Sequence, residues 1–235
     1  MKLRVKFSKY GALRFIGHLD VMRFFQKAIR RAGIDIAYSS GFSPHQIMSF
    51  AQPLGIGLES NGEYMDIEVN SITTEADMMQ QLNAQMVEGI EVLEIKLLPE
   101  TAGNAMASVS AATYTIRFRE GYEPGYDYVS KLADFYAQDE IVVTKQTKRS
   151  ESTFDMKPSI YDCHMLENGK DISITVDCSS AGNIKPSLVM KAFYEQNDVE
   201  LNELALLVTR EETYTNLGNE ENRKLVPLGQ VGDDF

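Results

Sequence analysis

The order of hydrophobic periodicities restricts the fold more than any other feature of the sequence. Between residues 3 and 97, stretches that alternate apolar and polar residues combine with stretches whose apolar residues recur every three or four positions. Their order is β-α-β-β-α-β, and the same order recurs between residues 112 and 211. This order is typical of a four-stranded antiparallel sheet with two helices on one face. The sequence therefore predicts an α+β protein with two tandem ferredoxin-like domains.

The first predicted domain covers residues 1–98. Its predicted strands are residues 3–7, part of 34–58, 63–69 and 92–97. A helix is predicted over residues 18–32, with Leu19, Met22, Phe25, Ile29 and Ala32 on its apolar face. A second helix is predicted over residues 75–88, with Thr73 or Thr74 as its N-cap.

The second predicted domain covers residues 111–215 and follows a linker rich in alanine, glycine and serine. Its predicted strands are residues 112–119, 140–146, 172–177 and 204–211, and its predicted helices are residues 126–137 and 185–196. Residues 154–165 are predicted to add a short strand or turn. Residues 216–235 are polar and lack periodicity, which predicts a flexible tail.

The distribution of charge separates the first quarter of the chain from the rest. The formal net charge is −11, which by itself argues against a nucleic-acid partner. Residues 1–58, however, contain nine basic and two acidic residues, whereas the other 177 residues contain 14 basic and 32 acidic residues. This asymmetry predicts a local site for an anion within a chain that otherwise repels anions.

Two neighbouring segments could form that anion site. On the predicted helix 18–32, Arg23, Lys27 and Arg30 would lie together opposite the apolar face, with Arg31 adjacent. The next segment combines hydroxyls, a glycine, aromatic rings and an imidazole, in Tyr38, Ser39, Ser40, Gly41, Phe42 and His45. Such residues suit contacts with phosphates and unpaired bases. The alternatives are a solvated helix face and a turn with a buried Phe42.

Catalytic and metal sites receive little support from the sequence. His18 could act as a general acid or base, but it could equally cap or pack the helix. Cys163 and Cys178 are the only cysteines, and they form no C-x-x-C motif. We expect reduced, structural thiols, with one disulfide between them as the alternative. We therefore predict no metal and no cofactor. The sequence also lacks a long apolar run or an apolar leader, which predicts a cytoplasmic protein without a membrane segment.

Four segments of the first predicted domain resemble the bacterial radical-SAM-linked protein family. They are RFIGHLDVMR at 14–23, AIRRAG at 28–33, YSSGFSP at 38–44 and SFAQPLG at 49–55. Members of that family have no assigned reaction, and they occur beside or fused to radical S-adenosylmethionine proteins. The resemblance implies a radical S-adenosylmethionine protein as partner. The family often has arginine where His45 stands, which weakens a catalytic role for His45.

Two cysteines cannot supply the three closely spaced ligands of a radical S-adenosylmethionine cluster, so this chain cannot be the radical enzyme itself. We expect a non-catalytic accessory protein that binds RNA, either tRNA or rRNA, through Arg23, Lys27, Arg30 and Arg31, with Tyr38 and Phe42 stacking on bases and Ser40 and Gly41 making polar contacts. One alternative is a protein-interaction subunit that docks on the radical enzyme without RNA. The other is a metal-independent endoribonuclease that uses His18.

Overall fold

The computed structural model describes residues 1–146, 151–180 and 182–235. It is a mixed α+β structure whose strands pair mostly antiparallel, as the sequence predicts. The chain divides into two compact units. Unit 1 contains Met1–Ser110 and Arg210–Phe235, and unit 2 contains Ala111–Thr209. None of the helices in the described ranges has the length and apolarity that crossing a bilayer requires.

Unit 1 begins with the predicted succession of elements. Its strands are β1 (Lys2–Lys9), β2 (Met48–Phe50), β3 (Glu59–Glu68), β4 (Ile90–Leu98), part of β10 (Leu206–Asn216) and β11 (Leu225–Pro227), and its helices are α1 (His18–Arg31), α2 (Glu75–Asn83) and the short α3 (Ala105–Ser108). The strands follow the order β4-β1-β3-β10, while β2 also pairs with β3 and β11 pairs with β10. The side chain of Thr74 accepts a hydrogen bond from the Asp77 amide, which confirms the predicted cap of α2.

The core of unit 1 forms where α1 and α2 pack on the sheet. Alternate residues of β1, namely Leu3, Val5 and Phe7, are at most 1% exposed. The ring of Phe7 lies 4.6 Å from that of Phe25 on α1. The prediction for Leu19 is wrong, because Leu19 is 58% exposed. It lies about 120° around α1 from the buried Phe25, outside the stripe that faces the sheet.

Residues 216–235 lie within unit 1 and contact its sheet, so the predicted boundary at residue 215 does not coincide with the division of the chain. β11 pairs with β10, and Leu228 is fully buried. The backbone oxygen of Leu228 accepts a hydrogen bond from Arg4 at 3.3 Å, and Lys96 donates one to Asp234. A sequence without periodicity can pack in this way because its contacts come from single residues on distant strands.

Unit 2 contains the strands β5 (Ala111–Phe118), β6 (Val142–Gln146), β7 (Glu151–Asp155), β8 (Ile160–Met165) and β9 (Ile172–Asp177), the start of β10, and the helices α4 (Tyr128–Tyr136) and α5 (Pro186–Gln196). β5, β9 and β8 pair in that order. The predicted strand 140–146 instead forms a separate two-stranded sheet, β6 with β7. The strand beside β9 is therefore β8, which lies in the segment where the sequence predicts only a short strand or turn.

Candidate cationic cleft

Four of the nine cations in residues 1–58 belong to the interior and edges of unit 1 instead of a binding surface. Arg4 is 1% exposed and forms two hydrogen bonds with Asp66, at 2.8 and 3.0 Å. Lys6 pairs with Glu212 at 2.6 Å, and Arg14 pairs with Glu59 at 3.1 Å. Burial lowers the pKa of Lys9, partly opposed by the carboxylate of Glu63. Most of these carboxylates lie far away in sequence, so the basic segment does not produce one continuous positive field.

Unit 1 as a whole is not basic. It contains 13 basic and 18 acidic residues, and unit 2 contains 10 basic and 16 acidic residues. A positive surface in unit 1 can therefore only be local, and the outer face of α1 provides one.

The outer face of α1 carries three exposed cations in one row. Arg23, Lys27 and Arg30 all point away from the buried Phe25, because they lie about 140–160° around the helix from it. Arg23 makes only an exposed contact of 3.5 Å with Asp20. In the described part of the chain, neither Lys27 nor Arg30 has a carboxylate within ion-pair distance or a side-chain hydrogen bond. The predicted row therefore exists, and two of its charges are unneutralised.

Arg31 does not share this row. It lies about 100° from Arg30 around the helix, and its guanidinium donates hydrogen bonds to the side chain and backbone oxygens of Gln85 at 3.2 and 3.3 Å. Of the four residues predicted to contact phosphates, Arg31 is thus the one that lies outside the row and contacts Gln85.

A closed loop follows α1 and lies beside the row of cations. Ser39 and His45 close it with three hydrogen bonds: the Ser39 amide donates to the His45 oxygen at 2.9 Å, the His45 amide donates to Ser39 Oγ at 3.1 Å, and Ser39 Oγ lies 2.8 Å from His45 Nδ1. Just outside this closure, Tyr38 forms a β-bridge with Gln46. Gly41 occupies the turn with φ of 111°, a conformation that favours glycine.

The row and the loop line one open cleft of about 310 Å³. Its lining residues are Arg23, Gln26, Lys27, Arg30, Tyr38, His45 and Gln46. Five of them, all except the two glutamines, were predicted from the sequence. The structure therefore brings three cations, one phenol ring and one imidazole to a single surface, which can contact an anionic ligand that also has a flat ring.

The tip of the loop does not line this cleft. Ser40, Gly41 and Phe42 are exposed beyond it, and Phe42 is fully exposed. The predicted alternative of a buried Phe42 is therefore wrong. Phe42 would meet a ligand only where that ligand extends past the cleft.

Two glutamines in the cleft were not predicted. Gln46 is 7% exposed, and its Nε2 donates a hydrogen bond to the backbone oxygen of Gln26 at 3.1 Å. Its Oε1 is buried and has no hydrogen-bond partner in the described residues. Gln46 directly follows His45 in the sequence, but a single glutamine carries no periodic or motif signal. In the structure, its bridge with Tyr38 places it in the cleft.

His18 lies outside the cleft. Its ring packs edge-on against Phe50 at 5.1 Å, and it borders a very small cavity that Lys9 and Glu63 also line. This position agrees with the packing alternative for His18.

Cys163 and Cys178 are buried and form no disulfide. Burial raises the pKa of Cys163 to about 12, so its thiol is protonated at neutral pH. Within residues 1–146, 151–180 and 182–235, no group of three or more histidine, cysteine, aspartate or glutamate side chains could hold a metal ion.

Comparison with known proteins identifies one family. The model of a family described as "Uncharacterized protein conserved in bacteria (DUF2344)" matches residues 2–186, which include all of the cationic cleft. No curated protein matches the chain.

Proposed function

The chain belongs to the DUF2344 family of uncharacterized bacterial proteins, and we propose that it is a non-catalytic accessory protein that binds RNA through the cationic cleft. The observation that carries the proposal is the combination of two unneutralised cations, Lys27 and Arg30, with the ring of Tyr38 in one open cleft. Cations attract phosphates, and an aromatic ring offers a stacking surface to any unpaired base.

The length of the cation row on α1 favours binding of single-stranded RNA. Arg23 and Arg30 are separated by about 10 Å along the helix axis, with Lys27 between them, so that the row can follow two or three successive phosphates. A base that leaves the backbone on the loop side would meet Tyr38, which is 52% exposed. Single-stranded loops and ends of tRNA or rRNA present unpaired bases in this way.

The acidic remainder of the chain limits how RNA can bind. Because both units carry a net negative charge, a duplex laid across the surface would meet repulsion outside the cleft. A short single-stranded segment avoids most of that surface. We therefore expect local, strongly salt-dependent binding instead of nonspecific coating by RNA.

We also propose a radical S-adenosylmethionine protein as partner, on the basis of the resemblance of residues 14–55. In that arrangement, the cleft would present RNA to the radical enzyme. We interpret both units as variants of the ferredoxin-like arrangement, with β6 and β7 as an added pair of antiparallel strands in unit 2. This interpretation concerns architecture and carries no functional weight.

The test of RNA binding removes charge from the cleft. Arg23→Gln with Arg30→Gln should weaken binding of single-stranded RNA, measured by fluorescence anisotropy, and should reduce the slope of log K against log salt by about 1.4 for two lost phosphate contacts. Arg31→Gln is the control, because it removes one positive charge from the same helix but outside the cleft, where the double variant removes two. Unchanged binding by the double variant, or an equal loss in the control, would contradict the proposal.

A second candidate function is docking on a protein partner without RNA, and exposed apolar residues favour it. Phe15, Leu19 and Ile56 are 58–67% exposed. The Gly57 amide donates a hydrogen bond to the Arg14 oxygen at 2.8 Å, which brings the segment of Ile56 beside that of Phe15. If this surface docks, Phe15→Ser with Leu19→Ser should abolish co-purification of the radical enzyme, and nuclease treatment should not.

A further inference from the structure

The cationic cleft contains a hydrogen-bond acceptor that the fold leaves unused. Gln46 Oε1 exposes less than 1 Å² and has no partner in the described residues. The orientation of the amide is fixed by the other end, since Nε2 donates to the Gln26 oxygen at 3.1 Å. Turning the amide over would place two oxygens against each other. A buried acceptor without a donor is unfavourable and is uncommon in folded proteins.

The neighbours of this oxygen suggest what could satisfy it. Arg23, Lys27 and Arg30 offer only donors and suit phosphate oxygens. Tyr38 is the bridge partner of Gln46, so that the two side chains are neighbours across the β-bridge. A base that stacks on Tyr38 would thus bring its edge toward Gln46, and it would meet Oε1 once the side chains that cover this atom move aside.

We infer that Gln46 Oε1 accepts a hydrogen bond from the exocyclic amine of a nucleobase in the cleft, so that the cleft prefers cytosine to uracil. This inference rests on the proposed RNA binding and specifies its ligand. One N–H of Nε2 is held by the Gln26 oxygen, and the atom of Gln46 that lacks a partner in the described residues is the acceptor Oε1. Cytosine presents an amine at the position where uracil presents a carbonyl oxygen, and two acceptors facing each other leave both unpaired.

The test compares two pyrimidines of equal size. Eight-nucleotide oligocytidine and oligouridine RNAs are titrated against the full chain at pH 7.5, and binding is followed by fluorescence anisotropy. We expect about tenfold tighter binding of oligocytidine, the ratio that one ordinary hydrogen bond supports. Gln46→Met, which keeps the length of the side chain but offers only a weak thioether acceptor, should reduce that ratio to less than about twofold.

Two further variants separate recognition from damage to the fold. Gln46→Glu places a carboxylate oxygen against the Gln26 oxygen, where Nε2 donates in the wild type, so it should weaken the binding of both RNAs and lower the melting temperature of unit 1. Gln81→Met, on the exposed surface of α2, should leave the ratio unchanged. Thermal melting of each variant shows whether unit 1 still folds.

The outcomes distinguish the two proposals. If both oligonucleotides bind with the same affinity, or if Gln46→Met keeps the preference, the inference about Gln46 is wrong while RNA binding stands. If neither RNA binds even at low salt, the proposed function itself fails, and the inference fails with it.

Discussion

Arg4 on β1 and Lys27 on α1 show two opposite uses of a cation within the first 31 residues. Arg4 is 1% exposed, and its guanidinium makes two hydrogen bonds with the buried Asp66. Lys27 is exposed and has no carboxylate partner in the described residues. The difference shows that a count of charges along a sequence mixes structural ion pairs with charges available to a ligand. The two kinds of cation can be told apart only from the position of the nearest carboxylate in the fold.

Arg4→Met should have the largest effect on stability, because Arg4 is the buried cation of the two. It leaves Asp66 buried without its cation, which should lower the free energy of unfolding by about 3–5 kcal/mol in urea denaturation. Combining it with Asp66→Leu removes both charges and should recover much of that loss. A loss below about 1 kcal/mol for Arg4→Met would mean that the pair is more solvated than its geometry indicates.

Leu228→Ala tests whether the residues that cover Arg4 belong to the same folded unit. Leu228 is fully buried, and its backbone oxygen accepts a hydrogen bond from Arg4. Truncation should lower the free energy of unfolding by about 3 kcal/mol, through lost burial and the remaining cavity. Leu217→Ala, at a position that is 60% exposed, should change it by less than about 0.5 kcal/mol. Equal small effects would indicate that residues 216–235 do not stabilise unit 1.

Lys9→Met tests another buried cation of residues 1–58 through the pH dependence of stability. Because burial lowers the pKa of Lys9 in the folded chain, the unfolded chain binds this proton more tightly between that lowered pKa and 10.5. Stability should therefore gain a contribution from Lys9 as pH rises through this window, and should lose it as pH falls. In urea denaturation at several pH values, the free energy of unfolding of the wild type minus that of Lys9→Met should increase as pH rises. Parallel curves would contradict a shifted pKa.

Lys27→Gln with Arg30→Gln should produce the smallest change in stability. Both side chains are exposed and lack partners, so that neutralising them removes only like-charge repulsion along α1. We expect the free energy of unfolding to change by less than about 0.5 kcal/mol, while RNA binding weakens. A loss of stability as large as that of Arg4→Met would show that Lys27 and Arg30 are structural cations like Arg4.

Much of unit 1 was predictable because its elements have strong periodicity. The positions of β1 and α1 and the start of α2 follow from alternation, an amphipathic stripe and the Thr74 cap. The place of β8 beside β9 was not predictable, because β6 and β8 are both short strands. Only the pairing with β9 distinguishes them. The packing of residues 216–235 was also missed, since single contacts such as that of Leu228 with Arg4 leave no pattern in the sequence.

The sequence by itself determined the class of fold, the row of Arg23, Lys27 and Arg30, and the adjacent loop, because helical spacing is local and fixes which side chains share a face. The tertiary structure alone decided that Arg4 and Lys6 are neutralised by distant carboxylates, that Arg31 turns to Gln85, and that Gln46 joins the cleft. Those outcomes depend on which distant segments meet in the folded chain. Hydrogen bonds and ion pairs act over a few ångströms, a distance that positions in a sequence do not specify.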